Sequence, residues 1–164
     1  KIKQSALFDL LNIPHPRTRV FYGLRWKSSV CDHFRFPFIA KMARGSAMGR
    51  GVYLIRNYAE LSAYWDMTRP AYIQEYLPID RDMRIVVIGN KIVHAYWRVA
   101  QPGEFRTNIA LRGRISLDPV PQKALDLGLY TARECRWDDV GIDICEHEGK
   151  FYVLEANMKY GKEG

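Results

Sequence analysis

The sequence predicts an α+β chain organised as two lobes, and three observations carry that prediction. Helical spacing of apolar residues gives way to strand-like alternation several times along the chain. Glycine and proline punctuate the changeovers. The apolar content, 48% of 164 residues with 13% aromatic, is enough to bury a core in one domain or in two small lobes.

Each element has its own warrant. Ile2, Ala6, Leu7, Leu10 and Leu11 recur at helical spacing, and Pro14 and Pro16 end that element. Residues 25–33 read as a second helix. Residues 38–42 and 52–55 read as strands on either side of a glycine-rich stretch, and Asn57 caps a helix reaching about Thr68. Residues 72–76, 83–88 and 92–99 read as strands, the last two joined by the hairpin signal Gly89-Asn90. Pro121 opens a helix carrying Ala124, Leu125, Leu127, Leu129 and Ala132. Residues 140–145 and 150–155 then form a hairpin with His147, Glu148 and Gly149 as its loop. The expected division is a lead-in helix and loop over 1–16, a first lobe over 17–76 and a second over 77–164, with a hinge near Leu77 and Pro78.

Composition narrows the function classes. The formal charge of +7 is spread along the chain without a low-complexity block or repeat, and it favours an anionic partner: nucleic acid, a nucleotide or an acidic peptide. Cys31, Cys135 and Cys145 are odd in number and form no Cys-x-x-Cys pair, which argues for free thiols, a reducing compartment and a cytoplasmic location. No apolar run reaches membrane-spanning length and no signal peptide is visible. The start at Lys1 and the unclosed Tyr-Gly-Lys-Glu-Gly end suggest an excised piece. His15, His33, His94 and His147 show no metal spacing. Trp65, Trp97 and Trp137 read as core or lobe-interface anchors, and Cys135 and Cys145 as packing residues.

Chemistry concentrates in two stretches. With a three-residue loop in the last hairpin, Asp143 faces Val153, Glu155 is its diagonal neighbour on the same face, and Asn157 follows with the same orientation. Two carboxylates this close repel unless a cation lies between them, so removing one should relieve a metal-free protein; hard oxygen ligands suit magnesium or manganese. The plainer alternative is an acidic solvent face. The second stretch, from Lys41 through Gly45, Ser46 and Gly49 to Gly51, is not a P-loop. Flanked by strands, it reads as a flap whose backbone N–H groups can close over phosphates, with Lys41 in reach of one; plain turn geometry is the alternative. Glu75 can accept from an adenine amino group or a ribose hydroxyl, or be an edge-strand charge. Asp82-Met-Arg84, Trp97-Arg98, Arg106-Thr-Asn108 and Arg112-Gly-Arg114 supply guanidiniums suited to phosphate or carboxylate oxygens.

The order of these motifs resembles the ATP-grasp domain of RimK-type carboxylate–amine (α-L-glutamate) ligases, nearly end to end. The resemblance rests on Lys1 with its helix, Ile-Pro-His-Pro-Arg-Thr, Phe-Pro-Phe-Ile-Ala-Lys41, the glycine loop, Gln-Glu75-Tyr, Asp82-Met-Arg84, Gly-Glu-Phe-Arg106-Thr-Asn108, Gly-Ile-Asp143-Ile and Leu-Glu155-Ala-Asn157. It implies a nucleotide held between two α+β lobes. Lys1, Lys41 and the loop residues Gly45, Ser46, Gly49 and Gly51 would bind ATP phosphates; Glu75, Tyr76 and Leu77 would take the adenine and Asp82 the ribose. Asp143, Glu155 and Asn157 would hold one or two magnesium (or manganese) ions, while Arg98, Arg106 and Asn108 would contact the γ-phosphate and an acyl-phosphate.

The implied reaction joins a carboxylate to an amine at the expense of ATP, forming a peptide-like bond, with glutamate added to a peptide or an acidic protein tail among the candidates and a homo-oligomer left open. Two departures stand out: Arg112-Gly113-Arg114 replaces a family glycine pair, and Met-Lys-Tyr-Gly-Lys-Glu-Gly follows Asn157 where Ser-Pro-Gly-Leu-Glu-Gly is common. The N-terminal domain usual in the family is absent from this sequence. Competing readings are a regulatory ATP-binding module without ligase activity, and a basic nucleic-acid-binding protein using Tyr96, Trp97 and nearby arginines, which leaves the acidic trio unexplained.

Overall fold

The computed structural model describes residues 1–23, 26–43, 51–101, 103 and 114–160. Its elements are α1 (Ile2–Leu10), β1 (Thr18–Phe21), α2 (Trp26–His33), β2 (Phe38–Met42), β3 (Val52–Ile55), α3 (Tyr58–Met67), β4 (Ala71–Glu75), β5 (Arg81–Ile88), β6 (Lys91–Val99), β7 (Arg114–Ser116), α4 (Gln122–Glu134), β8 (Asp139–His147) and β9 (Lys150–Asn157). They fall into two units: Lys1–Ile2 with Pro16–Leu77, and Lys3–His15 with Pro78–Gly164.

The first unit is an antiparallel sheet in the order β1-β4-β2-β3, with α2 and α3 in its core. Strand alternation sends Phe38, Ala40, Ala71, Ile73, Phe21 and Ile55 into that core with Val30, Phe34, Leu61 and Tyr64. Lys41, Tyr72, Gln74 and Thr18 therefore lie on the opposite face. The expected cap is present: Asn57 accepts the Glu60 N–H at 3.0 Å, and Glu60 reaches back to accept the Arg56 N–H at 2.7 Å.

The second unit is an antiparallel sheet in the order β7-β6-β5-β8-β9. Met83, Ile85, Val87, Trp97, Val140, Ile142, Ile144 and Val153 pack with Phe8 and Ile13 from the lead-in segment and with Ala124 and Ala132 of α4. Gly128 permits the close approach of α4, because a Cβ there would come within 3.0 Å of Ile85. The lead-in segment attaches to β9: the Val153 N–H donates to the Pro14 carbonyl at 2.8 Å, and Gln4 hydrogen-bonds the backbone of Ala156. Consequently Ser5 and Phe8 form the buried side of α1 while Leu10 is 76% exposed, a different face from the one apolar spacing suggests. Trp97, Cys135 and Cys145 take the packing roles expected of them, and all three cysteines are free thiols.

Two strands were not expected, β1 and β7, and the last hairpin departs from its expected register. Its turn has two residues, Glu148 (φ +50°) and Gly149 (φ +74°), so His147 pairs with Lys150. An irregularity between Asp143 and Ile144 then absorbs one residue of β9. Asp143 therefore pairs directly with Glu155, while Val153 pairs with Ile144 on the core side.

Candidate active site

On the face of the second unit's sheet opposite α4, the registers align Tyr96, Arg84, Asp143 and Glu155 as successive neighbours across β6, β5, β8 and β9. In the adjacent row Arg98 pairs with Asp82, and on the other side Gly141 pairs with Asn157. The alternation of β5 explains the grouping: Met83, Ile85 and Val87 point into the core, which puts Asp82 and Arg84 together on the opposite face.

These groups form a buried chain of alternating charge. Asp82 is 2% exposed, and Arg98 and Asp143 are each 6% exposed. Arg98 donates from Nε to Asp82 Oδ1 at 2.7 Å and from Nη2 to Asp82 Oδ2 at 2.6 Å. The same Nη2 lies 2.9 Å from Asp143 Oδ2. Arg84 holds Asp143 with both ends of its fork, Nε on Oδ1 and Nη2 on Oδ2, the latter at 3.1 Å. Burial works against the charge on Arg98, but Asp143 and Asp82 outweigh it and hold the guanidinium protonated more firmly than usual. Gly141 makes room for this arrangement, since a Cβ would come within 3.0 Å of Arg84 Nη1 and 2.9 Å of Tyr160 Cβ.

One sequence expectation changes here: the charge of Asp143 is balanced by two arginines, so the close carboxylates do not need a metal ion to coexist. Asp82, expected at a ribose hydroxyl, has its carboxylate buried in a two-pronged pair with Arg98. Arg84 was named among the guanidiniums suited to phosphate or carboxylate oxygens but was given no specific site role; its position two residues from Asp82 on a strand is the signal that could have supplied one. Among the described residues no three His, Cys, Asp or Glu gather into a metal cluster. The expected trio has another composition, two carboxylates and an amide, and it fits a hard cation: Asp143 and Glu155 are direct partners and Asn157 lies two residues further on the same face.

In the first unit, Lys41 pairs with Tyr72 across β2 and β4, its Nζ 5.8 Å from the ring centroid. The strand end that carries it is pinned from α3: the Tyr64 hydroxyl donates to the Lys41 carbonyl at 2.7 Å and accepts the Tyr72 N–H at 3.2 Å. Burial pushes the Tyr64 phenol up to about 12. The glycine-rich stretch leaves and returns through a closed base, where the Met42 N–H donates to the Gly51 carbonyl at 2.7 Å and Gly51 takes φ +73°. Glu75 accepts the Arg17 N–H at 2.6 Å, tying the end of β4 to the start of β1, and the half-buried Tyr76 and Leu77 close the unit. Lys1 belongs to this unit as well. Gly45, Ser46, Gly49, Arg106 and Asn108, like Arg112 and Gly113, lie outside the described residues.

The first unit thus carries a lysine pinned on β2, and the second an Asp/Glu/Asn set on its antiparallel sheet. The RimK-like ATP-grasp domain family matches residues 1–164, and the chain belongs to that family. It is 32% identical over 171 residues to the ribosomal protein bS6–L-glutamate ligase of Escherichia fergusonii, covering 100% of this chain and 57% of that protein. It is 30% identical over 158 residues to β-citrylglutamate synthase B of Danio rerio, covering 91% of this chain and 39% of that one. The fold matches the ATP-grasp ligase PsnB complexed with a minimal precursor (TM-score 0.75, 22% identity, 99% of this chain and 53% of that chain). It also matches purK, N5-carboxyaminoimidazole ribonucleotide synthetase, in its ADP complex (TM-score 0.79, 13% identity, 99% and 45%). The chain thus spans little more than half the length of the bS6 ligase it matches.

Proposed function

We propose that the protein carrying this chain is an ATP- and magnesium-dependent carboxylate–amine ligase that forms a peptide-like bond through an acyl-phosphate. The observation that carries the reading is the direct pairing of Asp143 with Glu155, with Asn157 beside them, in a chain of the RimK-like ATP-grasp family. A substrate carboxylate attacks the γ-phosphoryl group of ATP, releasing ADP; an amine then attacks the acyl-phosphate, releasing phosphate and leaving an amide. Magnesium bound by Asp143, Glu155 and Asn157 would neutralise phosphoryl oxygens. This chain supplies positioning and fixed donors, with no nucleophilic Ser or Cys required. Lys41, Lys1 and the N–H groups of the loop through Gly45, Ser46, Gly49 and Gly51 hold phosphates. Glu75, Tyr76 and Leu77 receive the base, and Arg98, Arg106 and Asn108 meet the transferring phosphoryl group, with Arg98 fixed by Asp82 beside Asp143.

The bS6 ligase and the PsnB complex support a peptide or protein acceptor, and the formal charge of +7 suits an acidic one. Glutamate is the leading candidate for the added amine. Free cysteines support action in the cytoplasm, and no described helix is long and apolar enough to cross a membrane. ADP release by the full-length protein, screened against amino acids paired with acidic peptides, tests the reading. Turnover that requires both a carboxylate and an amine supports it, and ATP binding without such turnover sinks it in favour of a regulatory module.

A further inference from the structure

Asp143 is held by two guanidiniums that are not equivalent. Arg98 is anchored by a second carboxylate, Asp82, through two bonds of 2.7 and 2.6 Å, and would keep its place if Asp143 turned away. Arg84 has Asp143 as its ion-pair partner and sits directly across the β5–β8 ladder from it, on the side opposite Glu155. Its side chain is nearly as buried as the carboxylate it holds.

Charge bookkeeping decides what happens when a divalent cation arrives. Among the described residues, Asp82 and Asp143 pair with Arg84 and Arg98, and Glu155 lies across the ladder from Asp143, so the set sums to one negative charge. A divalent cation added to the intact network turns that into one positive charge, among groups whose low exposure weakens screening. Departure of Arg84 returns the sum to zero, and it also vacates the carboxylate oxygens the cation needs.

We infer that Arg84 is an exchangeable counter-ion for Asp143: it holds the carboxylate in the metal-free protein, and metal binding displaces it, leaving Arg98 and Asp82 as the fixed part of the network. Arg84 thereby sets the metal affinity and positions the ligand before the metal arrives. This inference rests on Asp143 being a metal ligand, and its test separates the two claims.

The test is Mn2+ binding to the full-length protein without nucleotide, followed by the loss of the free-ion EPR signal. Removing the competing charge in Arg84→Met should tighten Mn2+ roughly tenfold, within the usual span for coupled sites. Arg84→Lys keeps the charge and should stay near wild type, whereas Asp143→Asn should bind far more weakly. The metal-free Arg84→Met protein should also melt lower than wild type and recover more of its melting temperature when Mn2+ is added. If Arg84→Met does not fold, Arg84→Gln carries the same expectation. Equal Mn2+ affinity in wild type and Arg84→Met, with Asp143→Asn still weak, overturns the exchange and leaves the metal site standing. Binding indifferent to Asp143→Asn, or absent from wild type and Arg84→Met alike, overturns the metal site and the exchange with it.

Discussion

Asp143 lies directly across the β8–β9 ladder from Glu155, and not on a diagonal from it, because a two-residue turn and an irregularity beside Asp143 reset the register. The same carboxylate is gripped from β5 by Arg84 and from β6 by Arg98. Removing its charge therefore has two effects of the same sign.

Asp143→Asn should abolish metal-dependent ATP turnover and also destabilise the metal-free protein. Carboxylate repulsion considered alone predicts a gain in stability; with two arginines left short of a partner, the expected change is a loss of about 3 kcal/mol, the lower end for breaking a buried ion pair. Urea unfolding without metal measures it. A variant as stable as wild type would mean that the arginines contribute little to holding this face together.

Lys41→Met should weaken ATP binding by about 1.5 to 3 kcal/mol, the usual worth of a hydrogen bond to a charged group. Lys91→Met, at the exposed start of β6, should change it hardly at all. Calorimetric titration of the two variants separates a phosphate ligand from diffuse basicity; equal losses that moderate salt erases would favour the latter.

Tyr64→Phe should cost about 1 to 3 kcal/mol, since it leaves the Lys41 carbonyl and the Tyr72 N–H without the hydroxyl that serves both. Burial raises the folded-state phenol from about 10 to about 12. The wild-type contribution is therefore complete below pH 10 and is lost as the pH climbs from about 10 through about 12, a decline the Phe variant lacks. Melting curves of both proteins across that window measure the difference.

Gly141→Ala should destabilise by about 1 to 3 kcal/mol, as overpacking does, because its Cβ would crowd Tyr160 Cβ at 2.9 Å and Arg84 Nη1 at 3.0 Å. An unchanged melting temperature would show that Arg84 and Tyr160 move aside freely.

What the sequence conveyed, and what it did not, follows from the range of the forces involved. Local signals worked: Asn57 caps α3, β2 and β3 form as strands on either side of the glycine-rich stretch, and Gly89-Asn90 joins β5 to β6. The shared face of Asp143, Glu155 and Asn157 was legible because strand alternation is local as well. β1 was missed because its four residues gain their partner, β4, from fifty residues away, and β7 is only three residues long. The final register was misjudged because Glu148 is not a residue that advertises a positive φ. Arg84 and Arg98 were named as guanidiniums suited to carboxylate oxygens, but which carboxylate each would meet depends on strand pairing across β5, β6 and β8, which motif order does not give.

The central claim is that a substrate carboxylate is activated by transfer of the γ-phosphoryl group. Labelling the carboxylate of an accepted substrate with 18O and following phosphate by mass spectrometry tests it most directly. Ligation through an acyl-phosphate predicts that one labelled oxygen per amide formed passes into inorganic phosphate. Amide formation with unlabelled phosphate, or phosphate release that needs no amine and no carboxylate, would contradict it.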